Sequence, residues 1–190
     1  MPLAKKQLDG FDGRRDGTNH FIYSRYLVPF FEGFQGHAVF VDGDMIVTED
    51  IYKILDGVNP NHAVSVVQHD YKTKHPKKYV GTKLQSDNID YPRKNWSSVM
   101  VWNCRHPSNA LLTKDFVAQS TGAFLHRFEW LNDDEIGALD PRWNWLVGEY
   151  EHRPASLYHY TVGAPGFDHY SRCDAADFWH DAKHNAMRMG

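Results

Sequence analysis

The sequence predicts a layered α/β domain. Three observations carry this. Short apolar runs (HAVFV, AVSVV, VMVW, LYHY) recur along the chain. Segments with helical spacing and recognisable caps separate them. Strands alternating with helices bury their faces as stacked layers.

Residues 1–17 are polar and glycine-rich and read as a loop or a frayed start. Residues 18–33 (TNHFIYSRYLVPFFEG) read as a helix, with Thr18 or Asn19 as N-cap, Phe21, Ser24, Arg25 and Val28 at helical spacing, and Pro29 near the end. HAVFVD follows as a short buried strand, continuous in its apolar character as in a parallel sheet. TEDIYKIL reads as a short helix with Thr48 as cap and acids in its first turn. AVSVVQHDY is a second strand, and residues 72–95 form a long polar loop, a type often functional in compact domains. WSSVMVWNC is a third strand, LTKDFVAQSTGAFLHRFEWL a helical segment capped by Thr113, ASLYHYTVG a fourth strand, and CDAADFWHDAKHNAM a C-terminal helix.

Composition narrows the function classes. The chain has 190 residues, enough for one domain with a core, and 21 basic against 24 acidic residues give a net charge of −3. No basic stripe marks a nucleic-acid binder. Lys72, Lys74, Lys77, Lys78 and Lys83 read as a solvated loop. Cys104 and Cys173 make no disulfide framework, and no apolar run nears the about 18 residues of a membrane span. MPLAKKQLDG lacks the apolar core of a signal peptide, so the expectation is a cytoplasmic protein. Aromatic residues make up 14% of the chain, and such rings serve either as core or as stacking faces for sugars.

Asp42-Gly43-Asp44 is the central motif. Asp-Gly between apolar runs is a strong local signal for a hairpin turn. The helix start at TED and the preceding strand instead put the motif at the carboxyl end of a strand, where open α/β sheets bind ligands. Two carboxylates one residue apart can hold a divalent cation that also binds substrate phosphates. His159, near a strand end and followed by Gly163 and Pro165, is the candidate third ligand; a packed histidine is the alternative.

Together, Asp42-Gly43-Asp44 after an apolar strand, the upstream Arg25, the SSVMVWN strand, Asp133-Asp134 and the H-x-T-x-G-x-P run at 159–165 resemble glycosyltransferases of the GT-A fold, in the glycogenin-like or bacterial galactosyltransferase-like group, over roughly residues 18–180. The resemblance implies a single three-layer domain over 1–190 with a mostly parallel sheet, and transfer of a sugar from a nucleotide-sugar, UDP-linked, to a glycan or other acceptor with retention. It implies Mn²⁺ (or Mg²⁺) held by Asp42, Asp44 and His159. Donor contacts fall on Arg25, Asp42, Asp44, Trp96, Ser97, Ser98 and Gly163, and Asp133 and Asp134 stand near the reacting centre.

Three features depart from the family pattern. The run after His159 reads G-A-P-G-F, without the lysine and tryptophan common there; Lys94, Arg93 or Arg153 are the substitutes considered. Trp96 replaces an asparagine. The chain opens at MPLAKKQL, where such domains have a strand and helix that build the nucleotide-base pocket. The resemblance thus implies an N-terminally shortened fold, with a homo-oligomer or second chain completing the pocket. A non-catalytic sugar- or partner-binding module is the alternative. A nucleotidyltransferase ranks lower, because DGFDGRRDGTN does not follow a strand as a phosphate loop would.

Overall fold

The computed structural model describes residues 20–189. The cap expected at Thr18 or Asn19 and the expected loop at 1–17 lie outside the described residues. The strands are β1 (His37–Val41), β2 (Met45–Val47), β3 (Val64–Val66), β4 (Lys77–Lys78), β5 (Ser86–Asp87), β6 (Val99–Asn103), β7 (Ile136–Ala138), β8 (Trp145–Leu146) and β9 (Leu157–His159). The chain divides into two compact units.

The first unit comprises the described residues up to Phe40, Val58–Val66 and Met100–Ala138. It carries a four-stranded sheet in the order β1-β6-β3-β7. All five residues of β6 are buried, which explains its unbroken VMVWN run in the middle of the sheet. β3 pairs antiparallel with β6 and parallel with β7. The α/β class holds, but the expected mostly parallel sheet is a mixed one. β1 is an edge strand of alternating exposure rather than a buried one, with Val39 39% exposed.

The helical run before β1 is segmented: helix His20–Ser24, a 3-10 turn Arg25–Leu27, then helix Val28–Phe31 with Pro29 in its first turn, where its missing N–H costs nothing. Residues 112–131 form two helices, Lys114–Gln119 and Gly122–His126, instead of one. Thr113 caps the first as expected, accepting from Phe116 N at 3.3 Å, worth about 1 kcal/mol. Ser120 and Thr121 adopt extended backbone, and Thr121 caps the second helix through Phe124 N at 3.2 Å. Short polar side chains that bond the local backbone break helices in this way.

The second unit comprises Val41–Gly57, Val67–Val99 and the residues from Leu139 onward. Its three-stranded sheet runs β2-β9-β8, with β2 antiparallel and β8 parallel to β9. Trp145, Val147, Tyr158, Tyr160 and Ala175 form its core cluster, against which Trp179 of the C-terminal helix Ala176–Met189 packs. In both units aromatic rings serve largely as core: Trp102, Tyr23, Tyr26, Tyr160 and Phe128 are among the largest fully buried side chains. The expected loop 72–95 holds the short antiparallel pair β4-β5. TEDIYKIL forms a 3-10 helix over Ile51–Gly57, and Thr48 does not cap it. The Thr48 hydroxyl donates to Ala155 O at 2.7 Å, and Asp50 Oδ1 accepts from Tyr52 N at 3.0 Å instead.

Candidate metal and anion site

Asp42-Gly43-Asp44 is not a hairpin turn. β1 belongs to one sheet and β2 to another, and the motif is the link between them. Asp42 N donates to Ser98 O at 3.0 Å, and Tyr160 N donates to Asp44 O at 3.0 Å. In the β2-β9 register Met45 opposes His159. The residue after the motif is thus hydrogen-bonded sheet neighbour to the histidine strand.

Among the described residues, Asp42, Asp44 and His159 form a group able to hold a metal ion, with one ligand atom from each within 4.8 Å of the others. On a small hard cation adjacent ligands lie about 3 Å apart and opposed ones about 4.2 Å, so the three atoms are near enough to close onto one ion by side-chain movement. Two carboxylates and one imidazole suit a first-row divalent cation that accepts nitrogen better than Mg²⁺ does. His159 is 3% exposed. Its Nε2 stands 3.4 Å from Asp44 Oδ1, and its Nδ1 3.0 Å from Asn144 Oδ1. The Tyr79 hydroxyl donates to the other Asp44 oxygen, Oδ2, at 3.0 Å. Burial pushes the Asp44 carboxyl up, but His159 and the Tyr79 hydroxyl outweigh it and hold the group down at about 2. The carboxylate is therefore charged at neutral pH.

Beside this group stands Lys78, which sequence reasoning placed in a solvated loop. β4 turns it inward, and its Nζ donates to Thr161 Oγ1 at 2.9 Å. Burial lowers the Lys78 ammonium, Lys94 adds to that, and Asp44, Glu149 and Asp42 oppose it. Lys94 itself is 5% exposed and donates to Asp90 Oδ1 at 3.2 Å. The other two cations considered lie over rings: Arg93 over Trp96 at 5.3 Å and Arg153 over Trp145 at 4.0 Å. The signal for Lys78 was its chain neighbour Tyr79, whose bond to Asp44 only the folded chain reveals.

The remaining expected donor contacts fall in several places. Trp96, Ser97 and Ser98 form a 3-10 turn leading into β6, entered through Asn95 in the left-handed region at φ 63°. Trp96 Nε1 donates to His69 O at 2.9 Å, and Ser98 Oγ donates to Asn95 O at 2.6 Å. His69 is 7% exposed, and its Nδ1 pairs with the Tyr150 hydroxyl at 2.8 Å. Gly163 has a packing reason to lack a side chain: an added Cβ would lie 2.3 Å from the Tyr170 ring. Arg25 belongs to the first unit, where it is 5% exposed with its guanidinium 4.9 Å from the Phe40 ring centroid. Asp133 and Asp134 are also in the first unit, exposed in a single 3-10 turn, Asp133–Glu135, within a capping box of Asn132 and Glu135.

The fold is similar to that of a solved glycosyltransferase. The chain superposes on the WbbM bifunctional glycosyltransferase with a TM-score of 0.57 at 14% identity, covering 86% of this chain and 35% of that one. Mouse xyloside xylosyltransferase 1 matches at a TM-score of 0.46 and 15% identity, over 73% of this chain and 64% of that one. This chain therefore spans about a third of the first protein and under two thirds of the second. No protein-family model matches the sequence. Protein CDI of Arabidopsis thaliana is 42% identical over 183 residues, covering 93% of this chain and 69% of that protein. The chain belongs to the Protein CDI family. No helix among the described residues is long and apolar enough to cross a membrane.

Proposed function

We propose that the chain is a metal-dependent glycosyltransferase that moves a sugar from a nucleotide-sugar, UDP-linked, to a glycan or other acceptor, with retention of anomeric configuration. The observation that carries this reading is the convergence of Asp42, Asp44 and His159 within the second unit of a glycosyltransferase-like fold. In this reading residues 1–190 form one domain of that type.

Asp42, Asp44 and His159 would hold the cation, and between Mn²⁺ and Mg²⁺ the imidazole favours Mn²⁺. Bound there, a divalent ion supplies Lewis acidity that neutralises charge on a departing diphosphate. Lys78 supplies a further positive charge in the same unit, and it takes the part for which Lys94, Arg93 and Arg153 were considered. An ammonium whose hydrogen-bond partner is a neutral hydroxyl keeps two further N–H donors for an anion's oxygens. Trp96, Ser97, Ser98, Gly163 and Arg25 remain proposed donor contacts, and Asp133 and Asp134 proposed groups at the reacting centre, on the resemblance alone. Retention needs no strong base, because the acceptor attacks from the donor's own face; inversion would require a carboxylate to take the acceptor proton.

The test is turnover. The protein with Mn²⁺ and a panel of UDP-sugars should release UDP, faster with a glycan acceptor present, and a chelator should abolish the release. Binding of UDP without release from any donor would favour the non-catalytic binding module.

A further inference from the structure

We propose that Asn144 is a positioning residue that fixes His159 in its Nδ1–H tautomer, so that Nε2 presents its lone pair to the cation. The inference rests on the metal reading above and adds to it the group that sets the histidine's protonation.

Asn144 is fully buried. It ends the 3-10 turn Pro141–Asn144, whose first residue follows the capping Asp140, and it leads directly into β8. β8 lies parallel to β9 with Leu146 opposite His159, which brings Asn144 alongside the histidine. Its amide nitrogen donates to Ser98 Oγ at 2.8 Å and to Asn95 O at 3.2 Å.

Those two partners determine which way the amide points. Asn95 O is a carbonyl oxygen and only accepts, so the group facing it must be the NH₂. Ser98 Oγ spends its own proton on the same carbonyl at 2.6 Å, so toward Asn144 it acts as an acceptor. Flipping the amide would set its oxygen against two acceptors in a buried site. Oδ1 is thereby directed at His159 Nδ1, 3.0 Å away.

An amide oxygen cannot donate, so Nδ1 must carry a hydrogen. With a cation held by Asp44 and His159, the ring's lone pair is then on Nε2, the nitrogen that faces Asp44 Oδ1 at 3.4 Å; without one, that carboxylate is a second acceptor for the ring. With the cation bound, the other tautomer would place two lone pairs against each other at Nδ1 and a hydrogen where the metal ligand is needed. An outer partner that fixes the tautomer of a ligating histidine typically changes metal affinity about 10–100-fold.

Two measurements test this. Long-range ¹H–¹⁵N spectra of the protein loaded with diamagnetic Zn²⁺ should show the His159 ring hydrogen on Nδ1. Titration with Mn²⁺ alone, without nucleotide, should show Asn144→Leu weaker than wild type by about 10–100-fold. Asn144→Asp keeps an acceptor for Nδ1 but gives up the bond to Asn95 O. It should lose thermal stability yet bind Mn²⁺ within a few-fold of wild type, which separates positioning from a purely structural role. A Zn²⁺-loaded protein without a hydrogen on His159 Nδ1, or a folded Asn144→Leu with wild-type Mn²⁺ affinity, overturns the inference. Wild type that takes up neither Zn²⁺ nor Mn²⁺ overturns the metal reading, and the role of Asn144 with it.

Discussion

The Lys78 ammonium donates to Thr161 Oγ1 at 2.9 Å, a neutral hydroxyl two residues beyond His159 on the chain. A half-buried cation with such a partner, next to two acidic groups, is placed to receive an anion. Lys78→Met keeps the length of the side chain and removes the charge. UDP affinity in the presence of Mn²⁺ should fall roughly 10–100-fold, the range of a lost charged hydrogen bond. Affinity for Mn²⁺ alone should hold or rise, because a positive charge leaves the neighbourhood of Asp42 and Asp44. Calorimetry reads both, and a parallel loss of both would mark Lys78 as merely structural.

His69 predicts an acid-sensitive fold. Burial, with His159 second, lowers its imidazole from 6.5 to about 3. The unfolded chain therefore takes up this proton first as pH falls, so stability is lost between about 6.5 and 3. Between pH 7 and pH 5 the loss from this group is about 2 kcal/mol. His69→Gln, which cannot titrate, should show a smaller drop in denaturant midpoint over the same interval. An equal drop in both proteins would contradict the assignment.

Gly163 predicts a packing defect. Gly163→Ala would drive a methyl to within 2.3 Å of the Tyr170 ring, whose hydroxyl accepts from Val80 N at 2.8 Å. Overpacking of this kind costs about 1–3 kcal/mol. Chemical denaturation should show that loss; unchanged stability would mean that the ring moves aside freely.

Asp133 and Asp134 separate binding from chemistry. Each is exposed and belongs to the unit without the metal group. Asp133→Asn and Asp134→Asn should leave Mn²⁺ affinity within about two-fold of wild type, the scatter of surface substitutions. If the resemblance places these residues correctly, one of the two should lower kcat for sugar transfer. Weakened Mn²⁺ binding would contradict the separation.

The sequence shows its longest and most strongly patterned features best. Thr113 is the expected cap, the C-terminal helix forms, and β6 is the buried strand its VMVW run announces. Asp42, Asp44 and His159 were visible as ligand types in order, though 114 residues lie between Asp44 and His159. Their meeting depends on β2 pairing with β9. Such pairing is long-range information that no local window contains. β7 escaped because Gly137 sits in its middle; there an added Cβ would lie 2.2 Å from the His62 ring, so close approach outweighs strand propensity. β8 is two residues long. Asn144 and Lys78 escaped because their residue types are ordinary surface types. Only their partners, His159 and Thr161, mark them.

The most direct test of the central claim is calorimetric titration of UDP into the protein with and without Mn²⁺, repeated on Asp44→Asn. A metal ion and nucleotide diphosphate sharing this site predict UDP binding that appears with Mn²⁺ and is lost in the variant. Binding of UDP that is equal with and without Mn²⁺, or unchanged in Asp44→Asn, would contradict the account.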